Sequence, residues 1–140
     1  MCFSDPHSPA WEPLLGAAWR ARDRAYAPYS GFRVGAALLG ADGAVVSGCN
    51  VENAAYPMCL CAERGAVGAA VSQGLEPGGL LALVVVTEAG SLAPPCGACR
   101  QVLAEFAEDL PILMANRKDR ILGNIRELLP QAFTGRFLAL

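Results

Sequence analysis

The sequence predicts an α/β fold: a three-layer α/β/α sandwich with a mixed five-stranded sheet. Helical and β-type patterns follow one another in the order α-β-β-α-β-α-β-β. Residues 80–87 form a continuous aliphatic run that ends in threonine, as expected for a strand covered on both faces. Strand-helix-strand crossovers place the helices on the faces of the sheet.

The first half of the chain is predicted to form one helix and a hairpin. In residues 11–25, apolar side chains recur at spacings of three and four, which indicates a helix with one buried face that ends before Pro28. Residues 32–39 and 44–51 are rich in β-forming residues. The Asp42-Gly43 pair between them suits a tight turn, so we expect an antiparallel pair of strands.

The second half is predicted to add two helices and three strands. Residues 61–73 are alanine-rich and free of proline, and Gly74 follows at the usual place for a helix end. The remaining predicted elements are a strand at 80–87, a helix at 97–108 after two prolines, strands at 112–115 and 121–125, and a helical turn at 126–129.

Size and composition limit the classes of protein to consider. At 140 residues, the chain is expected to form one domain over 1–140, with residues 1–10 mobile. Hydrophobic residues make up 54% and charged ones 17%, which indicates a folded protein rather than a disordered one. The net charge of -2 disfavours a nucleic-acid platform, since such platforms cluster positive charge.

The expected compartment bears on how the six cysteines are interpreted. No apolar run approaches the ~20 residues of a membrane-spanning helix, and the N-terminus lacks the pattern of a signal peptide, so we expect a cytoplasmic protein. In a reducing compartment, closely spaced thiols are more often metal ligands or redox groups than disulfides. The single histidine, His7, lies in the N-terminal segment that is expected to be mobile, so we expect neither a Ser-His-Asp triad nor a multi-histidine metal site.

Three cysteines lie where two predicted helices begin. Cys96 and Cys99 fall in the first turn of one helix and Cys61 opens another, positions at which the helix dipole favours thiolates. Three thiolates leave one position of a tetrahedral zinc open, as in a catalytic site. Glu63, two residues after Cys61, is the candidate proton carrier.

The cysteine pattern alone leaves two alternatives open. With Cys59 as a fourth ligand, the thiols would form a closed structural zinc site and the chain would be a binding module. Cys96 and Cys99 could also form a redox dithiol at a helix start. The first alternative leaves Glu63 without a role, and the second leaves Cys61 without one.

The pattern C-x-E followed by P-C-x-x-C is a signature of zinc-dependent deaminases, here with cysteine in place of histidine at the first ligand. Over about residues 25–133 the chain resembles the small homotetrameric cytidine deaminases of the cytidine and deoxycytidylate deaminase family. The segments that carry this resemblance are Ala27-Pro28-Tyr29-Ser30, Phe32, Val34-Gly35-Ala36-Ala37-Leu38, Gly48-Cys49-Asn50-Val51-Glu52-Asn53-Ala54, Cys61-Ala62-Glu63-Arg64, Pro95-Cys96-Gly97-Ala98-Cys99-Arg100-Gln101-Val102 and Glu127-Leu128-Leu129-Pro130.

The resemblance implies an activity and a cofactor. The chain would hydrolyse cytidine and 2'-deoxycytidine to uridine and 2'-deoxyuridine plus ammonia, in pyrimidine salvage. It would bind one Zn²⁺ per subunit through Cys61, Cys96 and Cys99. Glu63 would take a proton from water, protonate the ring nitrogen beside the reacting carbon and later deliver a proton to the departing ammonia. A competing expectation is a deaminase of another cytosine-bearing compound, such as the blasticidin type.

The resemblance also implies the substrate contacts. Asn50 and Glu52 would bind the ribose hydroxyls, and Phe32 would pack near the pyrimidine. Tyr56 would line a site shared between subunits, into which Phe133 of a neighbour reaches to stack on the base. The candidate groups for holding the base edge are the Ala62 carbonyl and the backbone amides of Cys61 and Cys96.

The remaining expectations concern charge, the tail and the assembly. Arg64, and with it Arg100, is expected beside the sulfurs, where it would offset the negative charge of three thiolates. Phe137 is the second candidate for the stacking aromatic, because the tail is short and lacks the acidic residues common in the family. Gly65 and Gly68 would allow helices of several subunits to approach closely at the centre of a tetramer.

Overall fold

The computed structural model describes residues 3–138. The helices are α1 (Glu12–Arg22), α2 (Ala62–Ser72), α3 (Gly97–Phe106) and α4 (Ile125–Leu128). The strands are β1 (Gly35–Gly40), β2 (Val45–Cys49), β3 (Leu80–Val86), β4 (Pro111–Ala115) and β5 (Arg120–Asn124). Short 3₁₀ turns occur at Pro9–Trp11, Tyr56–Met58 and Gly135–Leu138. The predicted order of helices and strands is confirmed.

The five strands form one mixed sheet in the order β2-β1-β3-β4-β5. The β3–β4 pair is parallel and the other pairs are antiparallel. The predicted hairpin joins β1 to β2: Gly43 adopts a φ of 86°, and the Asp42 carboxylate accepts a hydrogen bond from the Ala44 amide at 3.0 Å. In the described part of the chain, no helix is long and apolar enough to cross a membrane.

The sheet has a separate core on each face, which makes the fold three-layered. Ala36 and Leu38 of β1 belong to a cluster with α2 and α3. The alternate residues, Ala37 and Leu39, belong to a cluster with α1 on the opposite face. β3 is buried at every position except Leu81, as predicted for a strand covered on both faces.

The first helix ends three residues earlier than predicted, at Arg22, because the chain leaves it to pair with another segment. Tyr26 forms an isolated parallel bridge with Val51. Its amide donates to the Asn50 carbonyl at 3.0 Å, and its carbonyl accepts from the Glu52 amide at 2.8 Å. Tertiary pairing therefore overrides the helical pattern at this point.

The first strand begins at Gly35 rather than at the predicted residue 32. The reason is that backbone groups just before Gly35 are hydrogen-bonded to the side chain of Asn50 instead of to a neighbouring strand. The Asn50 side-chain oxygen accepts from the Val34 amide at 2.8 Å, and its nitrogen donates to the Phe32 carbonyl at 2.7 Å. These two bonds extend the edge of the sheet without a regular strand.

Gly48 allows α2 to lie directly on β2. A Cβ atom at this position would come within 2.5 Å of both the Ala62 carbonyl oxygen and the Ala66 amide nitrogen. Real Cβ atoms do not approach backbone so closely, so only glycine permits this packing. The contact sets the height of the α2 N-terminus above the sheet.

Residues 3–10 are held to Trp11, the residue that precedes α1. The Phe3 ring contacts the buried Trp11 ring edge-on at 4.7 Å, and the Trp11 indole donates to the Asp5 carbonyl at 3.0 Å. The mobility expected for residues 1–10 stays a prediction, and residues 1 and 2 lie outside the described part of the chain.

Candidate active site

Three thiols meet beyond one edge of the sheet. β2 and β3 both end opposite Gly35, and α2 and α3 begin beyond that edge. Cys61 and Cys96 precede the first residues of these two helices, and Cys99 lies in the first turn of α3. The three Sγ atoms lie within 4.8 Å of one another, and those of Cys61 and Cys96 are 3.7 Å apart.

The donor set fits zinc. With zinc–sulfur bonds of ~2.3 Å and tetrahedral angles, two sulfur ligands lie about 3.8 Å apart, close to the 3.7 Å between Cys61 and Cys96. Thiolates are preferred zinc ligands, and three of them leave a tetrahedral ion with one further position. The cluster therefore suits a zinc ion that keeps one position for water or substrate.

Cys59 is directed away from this cluster, which argues against the closed four-cysteine site. Its sulfur accepts from the Asn53 amide at 3.3 Å and donates to the Asn53 carbonyl at 3.7 Å. The redox alternative is disfavoured as well, because Cys61 lies as a third thiol against Cys96 rather than apart from the Cys96–Cys99 pair.

Glu63 is the buried carboxyl group of the site. Its position as second residue of α2 directs it beneath the thiols, where it is only 5% exposed and one carboxylate oxygen accepts from the Cys99 thiol at 3.6 Å. Burial raises the pKa of Glu63 above its usual value because the charged form is poorly solvated there. A carboxyl group with a raised pKa is suited to taking up and releasing a proton near neutral pH.

Arg64 supplies positive charge beside the sulfurs. Its guanidinium donates to the Cys61 sulfur and to the Cys59 carbonyl, both at 3.4 Å. The hydrogen bond with Cys99 and then that from Arg64 lower the pKa of Cys61 to about 5, so this sulfur is a thiolate at neutral pH even without a metal ion.

The structure corrects the expectation for Arg100. This side chain is directed to two carbonyl oxygens instead of the sulfurs, donating to Pro95 at 2.8 Å and to Leu128 at 2.7 Å. Leu128 is the last residue of α4, so the Arg100 side chain connects the start of α3 to the end of α4.

A cavity of about 260 Å³ opens beside the thiols and Glu63. Its volume is slightly below the ~300–1,000 Å³ typical of drug-sized ligands, which suits a small molecule. Of the residues singled out in the sequence, the cavity is lined by Phe32, Asn50, Glu52, Cys59, Cys61, Ala62, Glu63 and Cys96. Sequence reasoning missed its apolar walls, Leu60, Val85, Ala93 and Pro94, whose residue types carry no chemical signal of their own.

Asn50 and Glu52 are already bonded to the segment that forms one wall of the cavity. Asn50 binds the backbone at Phe32 and Val34, as described above. One Glu52 oxygen accepts from the amides of Tyr29 and Ser30 at 2.9 and 3.1 Å, and the other accepts from the Ser30 hydroxyl. That hydroxyl lowers the pKa of Glu52, which keeps it a carboxylate.

The aromatic residues expected at a shared site lie at the surface of this chain. Tyr56 is 71% exposed, and its ring contacts Tyr29 edge-on at 6.1 Å. Phe133 is 58% exposed and stacks on the Phe137 ring at 5.6 Å. In the described chain, neither Tyr56 nor Phe133 lines the cavity beside its own thiols.

Comparison with known proteins gives a consistent result. Residues 11–114 match the family model described as the cytidine and deoxycytidylate deaminase zinc-binding region. A cytidine deaminase from Sporosarcina psychrophila is 48% identical over 125 residues, covering 88% of this chain and 90% of that protein. One from Mycobacterium tuberculosis is 49% identical over 123 residues, covering 88% of this chain and 89% of its own length.

A solved structure extends the likeness to the fold. The 1.6 Å crystal structure of cytidine deaminase from Burkholderia pseudomallei superposes with a TM-score of 0.83 at 48% identity, covering 86% of this chain and 97% of that one. The sequence match spans most of both chains, and the matched region contains all three clustered thiols and Glu63. The chain therefore belongs to the cytidine and deoxycytidylate deaminase family, and residues 11–114 are its zinc-binding region.

Proposed function

We propose that this protein is a zinc-dependent cytidine deaminase that converts cytidine and 2'-deoxycytidine to uridine and 2'-deoxyuridine, with release of ammonia. The observation that carries the proposal is the cluster of three thiols, two of which, Cys61 and Cys96, line one small cavity together with the buried carboxyl group of Glu63. The relatives named as cytidine deaminases support the choice of reaction.

The reaction adds the oxygen of water to the ring carbon that bears the amino group, and the bond from that carbon to nitrogen then breaks. Cys61, Cys96 and Cys99 would hold a zinc ion, which would supply a Lewis acid able to lower the pKa of water to ~7. Glu63 takes the first proton of this water and delivers it to the neighbouring ring nitrogen. It then takes the second proton, from the hydroxyl group now on the ring carbon, and passes it to the departing amino group, so that a carbonyl forms and ammonia leaves. The burial of Glu63 keeps bulk water from intercepting these transfers.

The cavity walls supply the means of recognising a nucleoside. Asn50 and Glu52 bind the sugar hydroxyls, because an amide retains a second N–H and a carboxylate retains free lone pairs after their bonds to the wall are made. Phe32 covers the pyrimidine ring, and the backbone at the start of α2, where Ala62 lines the cavity, meets the base edge. All four residues line the same cavity.

The functional unit in this proposal is a homotetramer of 140-residue, single-domain subunits with shared sites. Phe133 enters a neighbour's site and Tyr56 lines the site that the subunits share, and the exposure of both rings leaves them free to do so. Gly68 supports close approach between helices, because a Cβ there would meet nothing within 4 Å in the described chain outside its own helical turns. Gly65 instead faces the backbone of β2 within the subunit. The protein acts in the cytoplasm, in pyrimidine salvage.

The test is the change in ultraviolet absorbance when cytidine is added to zinc-loaded protein. We expect wild type to deaminate cytidine, whereas Glu63→Gln keeps one zinc per subunit and loses at least about 1,000-fold in kcat, near the upper part of the range for general acid–base catalysis. Glu76→Gln is the matched control, since Glu76 is exposed and does not line this cavity.

The outcomes separate the alternatives. Zinc-loaded wild type that is inactive on cytidine and active on another cytosine compound would move the assignment to a deaminase of the blasticidin type. Inactivity on every cytosine compound, together with zinc that requires Cys59, would instead support the four-cysteine module. Full activity of Glu63→Gln would refute the proton-transfer role.

A further inference from the structure

The chain after α4 carries two exposed aromatic rings on an irregular backbone. In this segment, residues 129–138, which we call the tail, Phe133 and Phe137 stack on each other with their ring planes 13° apart. Gln131 adopts a φ of 55°, and among described residues it is the one non-glycine with a positive φ. The tail therefore bends in an unfavourable conformation two residues before Phe133, and such a bend persists only where neighbouring contacts hold it.

Two neighbouring side chains of α3 provide contacts of this kind. The Gln101 side-chain nitrogen donates to the Phe133 carbonyl at 2.8 Å. Arg100 donates to the Leu128 carbonyl at 2.7 Å, immediately before the tail begins. The backbone bonds at the two ends of the tail, Leu129 to Ile125 and Phe137 to Thr134, are local ones. Gln101 thus connects the backbone of Phe133 itself to the helix that begins at the thiols.

We propose that Gln101 is a positioning residue for deamination: it fixes the direction in which Phe133 leaves the subunit and so presents that ring to the neighbouring site. The inference rests on the proposed function, in which Phe133 stacks on the base bound by a neighbour. In the described structure Gln101 does not line the cavity, and its side chain donates to the Phe133 carbonyl. Its effect therefore passes through the tail.

The expected size of the effect follows from what one hydrogen bond contributes. Without it, the tail samples other directions, and part of the binding free energy of the base is spent on ordering Phe133. Loss of a net hydrogen bond corresponds to about a three- to tenfold weaker interaction. Since the ring contacts the base and not the reacting atoms, the loss falls on KM, while kcat and zinc content stay near wild type.

The experiment compares four single variants and one double variant of the zinc-loaded protein with wild type in steady-state assays with cytidine. Gln101→Leu removes the donor at similar volume, and Gln101→Lys retains an N–H donor of sufficient reach. Gln73→Leu is the control, because it makes the same change at an exposed glutamine that directly follows the last residue of α2, at the end of that helix away from Cys61. Phe133→Ala removes the ring, and its combination with Gln101→Leu completes a double-mutant cycle.

We expect Gln101→Leu to raise KM about three- to tenfold, Gln101→Lys to restore it and Gln73→Leu to leave it unchanged. In the Phe133→Ala background, Gln101→Leu should have no further effect. A wild-type KM for Gln101→Leu alongside an impaired Phe133→Ala would overturn the positioning role alone, as would additive effects. An unimpaired Phe133→Ala would overturn the role of Phe133 at a shared site, and the positioning role with it, while wild-type turnover of cytidine tests the reaction independently.

Discussion

Replacing Gly48 with alanine would test whether the contact between α2 and β2 sets the geometry of the site. The new Cβ would lie 2.5 Å from both the Ala62 carbonyl oxygen and the Ala66 amide nitrogen. Both contacts are with backbone, so no side-chain rotation relieves them. The start of α2 must move away from the sheet, and it carries Cys61 and Glu63.

The distances set the magnitude. To restore ordinary van der Waals separations of ~3.5 Å, the helix must shift by about 1 Å. Overpacking of this kind costs about 1–3 kcal/mol in the free energy of unfolding. Because a misplacement of about 1 Å can cost ~100-fold in rate, we expect kcat to fall by about 10- to 100-fold.

Denaturant unfolding measures the stability of the variant, and the cytidine absorbance assay on zinc-loaded protein measures its rate. Gly65→Ala is the matched control in the same helix, since its Cβ would meet nothing closer than 3.6 Å. Alanine is more favourable than glycine inside a helix by up to about 1 kcal/mol. The free energy of unfolding of Gly65→Ala should therefore equal or exceed that of wild type. Wild-type stability and kcat in Gly48→Ala would refute the claim that glycine is required there.

The remaining predictions concern the thiols and Glu52. Cys59→Ser should keep one zinc per subunit, because the Cys59 sulfur of wild type bonds to Asn53 rather than to the cluster. Cys61→Ser should lose most of its metal. Elemental analysis of the purified variants measures the zinc content, and zinc loss in Cys59→Ser would contradict the three-thiol site. The Ser30 hydroxyl lowers the pKa of Glu52, so the contribution of that carboxylate to stability is complete above about pH 4.5 and is lost as the pH falls through the lowered value. Unfolding curves should therefore show the advantage of wild type over Glu52→Gln shrinking only below about pH 4.5, and an advantage independent of pH would count against this assignment.

Short-range patterns predicted the parts of the site that local structure determines. Cys96 and Cys99 are three residues apart at the start of α3. Cys61 lies at the start of α2, the neighbouring helix on the same face of the sheet, so the topology brings all three thiols to one edge of the sheet. Glu63 follows Cys61 by two residues in the C-x-E pattern, and both lie at the start of α2. The sequence was sufficient here because each position depends on its own element.

Contacts between segments far apart in the chain could not be predicted in this way. The bonds of Asn50 to Phe32 and Val34, which delay the first strand, join residues 18 and 16 positions apart. Arg100 was expected beside the sulfurs on charge alone, yet it donates to the Leu128 carbonyl, 28 residues away. Charge and residue type identify the partners that a side chain can have, whereas the fold decides which of these partners is within reach.

Asn50 and Glu52 have two roles in our proposal, since they bind the sugar and also bond to the segment 29–34. These two roles have a consequence for changing the substrate preference of this protein by selection. The hydrogen bonds of these two side chains hold residues 29–34, which form one wall of the cavity. Replacing Asn50 or Glu52 to accept a different sugar would therefore also loosen this wall beside Phe32. Variants with changed sugar preference should therefore arise at the apolar walls Leu60 or Val85, which carry no such bonds among the described contacts. The two side chains that we propose bind the sugar are, for this reason, the least free to vary.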